Sequence, residues 1–295
     1  MRLAEILQSY AIMMTLGLVL GVVSGGFPWY TKEISMASLA ILMTLSLANV
    51  RIGEARGRDH LEHSLWALVL NYGALTLLLL LLGLAFPSDL WPGWVLMAAA
   101  PSAISVVPFT GIFGGRTTKS LFSTAVNYIA ALALMPAITL LLIGSSVDVR
   151  SLVESLLILI VLPMVVSRLV ARADISKTTS TSLINVSFAV LIFAVAGANR
   201  KAFVGDPVIV LAICAAGFVR TFGIGLGTEL SLKKMGMQKD ERISYVLFSS
   251  FKNLGLTATL AIALFEPIVA VPATICIVFE VVWAIFLARY YQRVT

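Results

Sequence analysis

Residues 241–265 read ERISYVLFSSFKNLGLTATLAIALF, an apolar run of membrane-crossing length with Lys252, Asn253 and Gly255 at its middle. A charge at the centre of a bilayer is costly, so an ammonium there points to a polar cavity rather than to lipid. Asn and Gly also take up non-helical dihedrals readily. The stretch therefore predicts a helix that breaks over Lys252–Gly255. A second run, GWVLMAAAPSAISVVPFTGIF at 93–113, predicts a break from Pro101 to Pro108, because each proline removes a backbone donor. Broken backbone survives at that depth only beside protein or water.

The rest of the chain agrees with a membrane setting. Of the 295 residues 59% are apolar and 12% charged, and mean hydropathy is +0.99. No water-soluble globule buries so much hydrocarbon. Apolar runs at 9–26, 34–50, 62–85, 93–113, 119–143, 150–170, 181–199, 207–228, 241–265 and 268–290 predict ten transmembrane helices. They lack the alternation of a lipid-facing barrel. The first run lacks a small-residue cleavage site followed by a polar mature chain, and is expected to be a retained helix. The predicted fold is an all-α integral membrane protein. A polar joint, Gly144–Arg150, divides it into two five-helix repeats, 1–146 and 147–295, within one transmembrane domain. An odd number of crossings inverts the second repeat, and the break falls in the fourth helix of each, as in many secondary transporters.

Of 21 Lys and Arg residues, fifteen fall on one face of this ten-helix arrangement; Lys32, Arg150, Arg200 and Lys201 fall on the other. The net charge of +6 is thus a topology signal, placing both termini in the cytoplasm of a multi-pass cell-membrane protein rather than marking a nucleic-acid binder. Cys214 and Cys276 read as small residues on apolar helices. His60 and His63 are assigned to a cytoplasmic loop, which leaves no Ser–His pair or His-rich metal cluster at depth. An enzyme is disfavoured, and no cofactor or metal is expected. The string Gly223-Ile224-Gly225-Leu226-Gly227 reads as close helix packing, since no strand precedes it.

Three ionisable side chains remain deep in the apolar runs: Arg220, Lys252 and Glu280. Counted from the helix ends they lie about 16 to 20 Å deep, near the midplane. Asn71, Asn127 and Asn253 share that layer, with Ser102, Ser105, Ser120 and Thr124 close to it. A purely structural cluster, with Glu280 neutralising Lys252 or Arg220, is the plain alternative. The coincidence of Lys252 with a helix break speaks for function.

The crossover at Pro101, the Asn253-Leu254-Gly255 step, Pro267 and Pro272 resemble the bile acid/sodium symporter family over essentially the whole chain, which reads as a divergent member. The resemblance implies a panel domain and a core domain, with broken helices 4 and 9 crossing near the substrate site. It also implies inward carriage of organic anions with sodium. Several positions depart from the family. Its C-P-G-G-T-A-S-N stands here as Ala100-Pro101-Ser102-Ala103-Ile104-Ser105-Val106-Val107. Its E-x-G-x-Q-N-S-G stands as Phe248 to Gly255, with Phe248 for the sodium-ligating Glu and Lys252 for the Gln. A helix 10 His-Asn becomes Glu280-Val281, and a helix 8 His becomes Arg220. Ser120, Thr124 and Asn71 remain as oxygen ligands, too few for a hard cation.

The expected function is a sodium-independent carrier of a small organic anion working by alternating access, with Lys252 in the place of the cation; desolvation lowers the lysine's pKa and Glu280 raises it, which leaves open proton coupling on the one hand and a uniporter or exchanger on the other. Lys252, Asn253, Glu280, Arg220, Ser102, Ser105, Asn71 and Asn127 form the substrate site, and Lys252, Glu280, Ser120 and Thr124 the coupling site. The alternatives are a sodium-coupled symporter using the remaining oxygens and a membrane sensor that binds without transport.

Overall fold

The computed structural model describes residues 3–48, 58–144, 147–173 and 175–293. Outside them lie the joint at 145–146, on which the division into repeats falls, and Arg2, Arg51 and Arg56 of the basic face.

The elements are α1 (Leu3–Gln8), α2 (Tyr10–Ser24), α3 (Thr31–Ala48), α4 (Arg58–Leu68), α5 (Thr76–Gly83), α6 (Trp91–Ala99), α7 (Val106–Ile112), α8 (Thr117–Ile143) and α9 (Val149–Leu156). They continue with α10 (Leu162–Val170), α11 (Lys177–Ala198), α12 (Arg200–Gly205), α13 (Pro207–Phe218), α14 (Ile224–Lys234), α15 (Lys239–Ser250), α16 (Leu254–Leu264) and α17 (Val271–Arg293). π-helical turns at Val69–Leu75, Leu157–Val161 and Val219–Gly223 join α4 to α5, α9 to α10 and α13 to α14. An extra residue per turn widens the helix there and re-aims its side chains.

Among the described residues seven helices are long and apolar enough to cross a membrane: Thr31–Ala48, Asp59–Gly83, Thr117–Ile143, Val149–Val170, Lys177–Ala198, Pro207–Lys234 and Pro267–Gln292. The other three apolar runs form shorter helices: α2, the pair α6 and α7, and the pair α15 and α16. The outer surface bears exposed Leu16, Val19, Leu20, Leu141, Val208 and Leu211, as a lipid environment favours.

Two groups of helices pack together. In the first, α11 lies along α2 and α3, and α10 along α3. The Gly17-x-x-x-Gly21 pair lets α2 approach closely: a methyl at Gly17 would stand 2.5 Å from the Ala189 carbonyl oxygen, and one at Gly21 2.6 Å from that of Phe193. The second group holds α4 to α8 and α13 to α17, with Trp94, Tyr128, Phe248, Phe251 and Trp283 buried among them. Helix α16 touches both groups, packing on α3, α11 and α17.

Of the glycine string in α13–α14, Gly225 makes a close approach, to Trp283, while Gly227 faces open space. Cys276 is buried and Cys214 half-buried, and both are free thiols. The histidines are corrected: both lie in α4, and His63 is buried. Its Nδ1 stands 2.7 Å from the Ser123 hydroxyl and its Nε2 2.7 Å from that of Ser244, so a Ser–His contact does exist. Near a helix end an ionisable residue looks like a loop residue in sequence, and α8 and α15 bury it from the side.

Candidate functional site

Helix α6 stops at Ala99, where Ala100 turns to extended backbone and Pro101 has no N–H to continue the ladder. Helix α15 stops at Ser250, with Phe251 extended at φ −116° and ψ 122°. The interruptions therefore run over 100–105 and 251–253. Pro108 lies inside the first turn of α7, where an intrahelical donor is not needed, and Leu254 and Gly255 already belong to α16. Both breaks are narrower than the sequence suggested.

The interrupted segments pass each other antiparallel, with Ser102 opposite Lys252. The Asn253 N–H donates to the Pro101 carbonyl at 2.8 Å, and the Ala103 N–H to that of Phe251 at 3.4 Å. Each break thereby satisfies backbone groups the other leaves open, a requirement where no water reaches.

Lys252 carries its ammonium from this crossing into a set of oxygens, fully buried. Nζ donates to the carbonyls of Ala100 at 2.8 Å and Ala98 at 2.9 Å, and to Asn71 Oδ1 and Thr76 Oγ1, both at 3.1 Å. The two carbonyls belong to the C-terminal end of α6, where they lack intrahelical partners and the helix dipole is negative. The Tyr72 ring faces Nζ at 4.6 Å, adding a cation–π contact.

The surrounding hydrogen bonds orient the amine's neighbours. Asn71 donates its amide to the carbonyls of Phe248 and Phe251, which turns its Oδ1 towards Nζ. Thr76 points its hydroxyl hydrogen at the Ala98 carbonyl, 2.6 Å away. All four neighbours of Nζ thus present lone pairs, an arrangement that suits an ammonium and not a neutral amine.

Glu280 on α17 does not touch that ammonium. Its Oε1 accepts from Arg220 Nη2 at 2.6 Å and from the Lys252 backbone N–H at 3.0 Å. Arg220, in the π-helical turn Val219–Gly223, also donates from Nη2 to the Ser250 carbonyl at 2.7 Å. Of the two alternatives for Glu280, its side-chain partner is Arg220. Two basic side chains and one acidic one thus share this buried cluster, with Arg220 and Glu280 as its ion pair.

The other expected residues divide. Asn253 caps α16 by accepting from Leu256 N–H at 3.0 Å, and donates to the Tyr128 hydroxyl at 2.7 Å. Ser102 Oγ, Thr124 Oγ1 and Asn127 Oδ1 are buried with no hydrogen-bond partner. Ser120 accepts from Thr110 at 2.9 Å, and Ser105 is half-buried at the start of α7 with no capping bond. The structure thus gathers Lys252, Asn71, Glu280, Arg220, Ser102 and Asn253 at the crossing, and leaves Ser120, Thr124 and Asn127 along α8.

From residue 12 to residue 293 the sequence matches the SBF-like CPA transporter family. The chain belongs to that family. It is related to the bile acid/sodium symporters, and with its membrane-length helices it is a multi-pass membrane protein of a transporter family. It is also similar to YbaS of Bacillus subtilis strain 168, described as an uncharacterized protein, at 23% identity over 207 residues. That alignment spans 65% of this chain and 65% of YbaS.

In this SBF-like transporter the site includes residues the sequence reading passed over. Thr76 opens the run Leu77–Leu82 and stands out there as the sole hydroxyl, five residues after Asn71. Tyr72 and Tyr128 each follow an asparagine of the midplane layer, and that adjacency is the signal by which they were findable. The π-helical turns carrying Asn71 and Arg220 have no sequence signature.

Proposed function

We propose that this SBF-like transporter is a sodium-independent carrier of small organic anions, working by alternating access across the cell membrane with both termini cytoplasmic. The reading takes the chain as two inverted five-helix repeats whose discontinuous fourth helices meet at the crossing. The corresponding placement of the breaks supports it, as do the π-helical turns that bring Asn71 from one repeat and Arg220 from the other to the same place.

The observation that carries the proposal is the Lys252 ammonium in its setting of four oxygens. A covalently tethered cation there makes the positive charge permanent, so no ion has to be captured to complete the site. Lys252 then stays charged through the cycle, and the protein is a uniporter or exchanger. With Lys252 charged, the two basic side chains outnumber the one carboxylate, which favours an anionic substrate.

One observation favours a second reading, coupling to sodium: Thr124 Oγ1 and Asn127 Oδ1, one helical turn apart on α8, are buried without partners. A thermal-shift screen of organic acids on purified protein, with and without sodium, followed by uptake of the hits into proteoliposomes, separates the readings. Stabilisation by acids independent of sodium, with uptake, supports the proposal. Stabilisation without uptake indicates a sensor, and stabilisation that needs sodium indicates the symporter.

A further inference from the structure

Among the described residues one ring pair joins the two helix groups. Tyr10, the first residue of α2, meets Phe109 of α7 edge-on, with ring centroids 6.3 Å apart and planes at 83°. Each ring is held within its own group. Tyr10 stacks on Phe188 of α11 at 5.5 Å, while Phe109 stacks on Phe113 at 5.7 Å and lies 5.7 Å from Phe251 in the second break. Hydrogen bonds reinforce both sides: Asn185 of α11 donates to the Leu7 carbonyl at 3.0 Å, and Thr110, beside Phe109, donates to Ser120 of α8 at 2.9 Å. Across the boundary the contact is ring on ring. Rings part without stranding a polar group, so the two groups separate here at lower cost than either comes apart internally.

Position makes this pair a barrier. Phe109 follows Ser105, the end of the first break, by one turn of α7, on the way to the basic residues Arg116 and Lys119, and Tyr10 arrives from the N-terminal end of the chain. Both stand between the crossing and the face assigned above to the cytoplasm. Tyr10 also sits at a bend, where Ser9 separates α1 from α2 with extended backbone, φ −87° and ψ 105°, and caps α2 through a long bond of 3.4 Å. Element-terminal residues of this kind absorb the dihedral change of a hinge. The opposite face is tied differently: Lys32 of α3 donates to the Ala263 carbonyl of α16 at 2.9 Å, in an exposed setting. We propose that Tyr10 and Phe109 are the inner gate of the carrier, closed in this structure, and that Tyr10 swings off Phe109 on the Ser9 bend to open the crossing to the cytoplasm. This rests on the alternating-access reading above. A ring pair that only packs a core supports both faces alike, whereas a gate acts on one.

The test is labelling of Ser102→Cys, buried at the crossing, by a membrane-impermeant maleimide in vesicles that expose one face or the other. Peptide mass spectrometry reads position 102 alone, so Cys214 and Cys276 stay in place. Adding Tyr10→Ala or Phe109→Ala is expected to raise the labelling rate from the cytoplasmic face about two- to tenfold, the worth of one aromatic pair, and to leave the rate from the opposite face unchanged or lower. Tyr10→Phe keeps the ring and is expected to label as the Ser102→Cys parent does. Lys32→Met is expected to raise labelling from the opposite face alone. Cytoplasmic labelling of the parent that neither alanine variant changes overturns the gate while the carrier reading survives. An equal rise from both faces, which marks general loosening, has the same consequence, as does Tyr10→Phe labelling like Tyr10→Ala. Position 102 unreactive from both faces in the parent and every variant overturns the alternating-access reading, and this inference with it.

Discussion

The two helix interruptions meet at one crossing yet are built from opposite materials. The break at 100–105 is made of small residues and contributes acceptors, the carbonyls at the end of α6, together with the unpartnered Ser102 hydroxyl. The break at 251–253 contributes the cation, the cap and the aromatic contacts: Lys252 fills those carbonyls and Asn253 starts α16. One break is thus a socket and the other a plug. An isolated broken helix in a membrane strands polar backbone, but two of complementary kind leave little unsatisfied except what a ligand takes.

If that division holds, substitutions in the second break and its supports should cost far more than those in the first. The largest effect is expected from Glu280→Leu, which leaves Arg220 buried and unpaired; breaking a buried pair in this way costs about 3–5 kcal/mol. Thermal unfolding in detergent should show a large drop and poor membrane yield, and a parent-like melting temperature would contradict the pairing. Next is Lys252→Met, which strands the carbonyl of Ala100, that of Ala98 keeping the Thr76 hydroxyl, and costs about 1–3 kcal/mol for the group left unsatisfied, offset by relief of the ammonium's own burial. Uptake should be abolished in that variant, and appreciable uptake would remove the ammonium from the working site.

Asn253→Ala removes the cap of α16 and the Tyr128 bond, for about 1–2 kcal/mol in melting experiments. Its loss of transport is accompanied by lower stability, since the side chain is engaged within the protein. Ser102→Ala, in the first break, removes a hydroxyl that bonds to nothing, and is expected to change stability by less than about 0.5 kcal/mol. A marked fall in substrate affinity in that otherwise stable variant would sharpen the comparison by placing Ser102 on the substrate.

Much of this arrangement was legible in the sequence, for identifiable reasons. Pro101 and the Lys252-Asn253 step marked the breaks because proline and short polar residues act on the backbone locally. Counting from helix ends put Arg220, Lys252 and Glu280 in one layer because helical rise is constant. Height along a helix does not give direction around it, so Glu280's choice of Arg220 and of the Lys252 backbone N–H was hidden. The π-helical turns shift direction further, which concealed Asn71's grip on Lys252. Thr76 and His63 gained their roles from neighbours far away in the chain, α6 and α8 with α15 respectively.

The central claim is that the ammonium of Lys252 stands where a coupling ion would otherwise be needed. Its most direct test is uptake of a labelled organic acid into proteoliposomes at constant pH, with external sodium replaced by potassium or choline. Uptake that continues at the same rate in all three salts is the predicted result. Collapse of uptake when sodium is withdrawn, restored by returning it, would contradict the account.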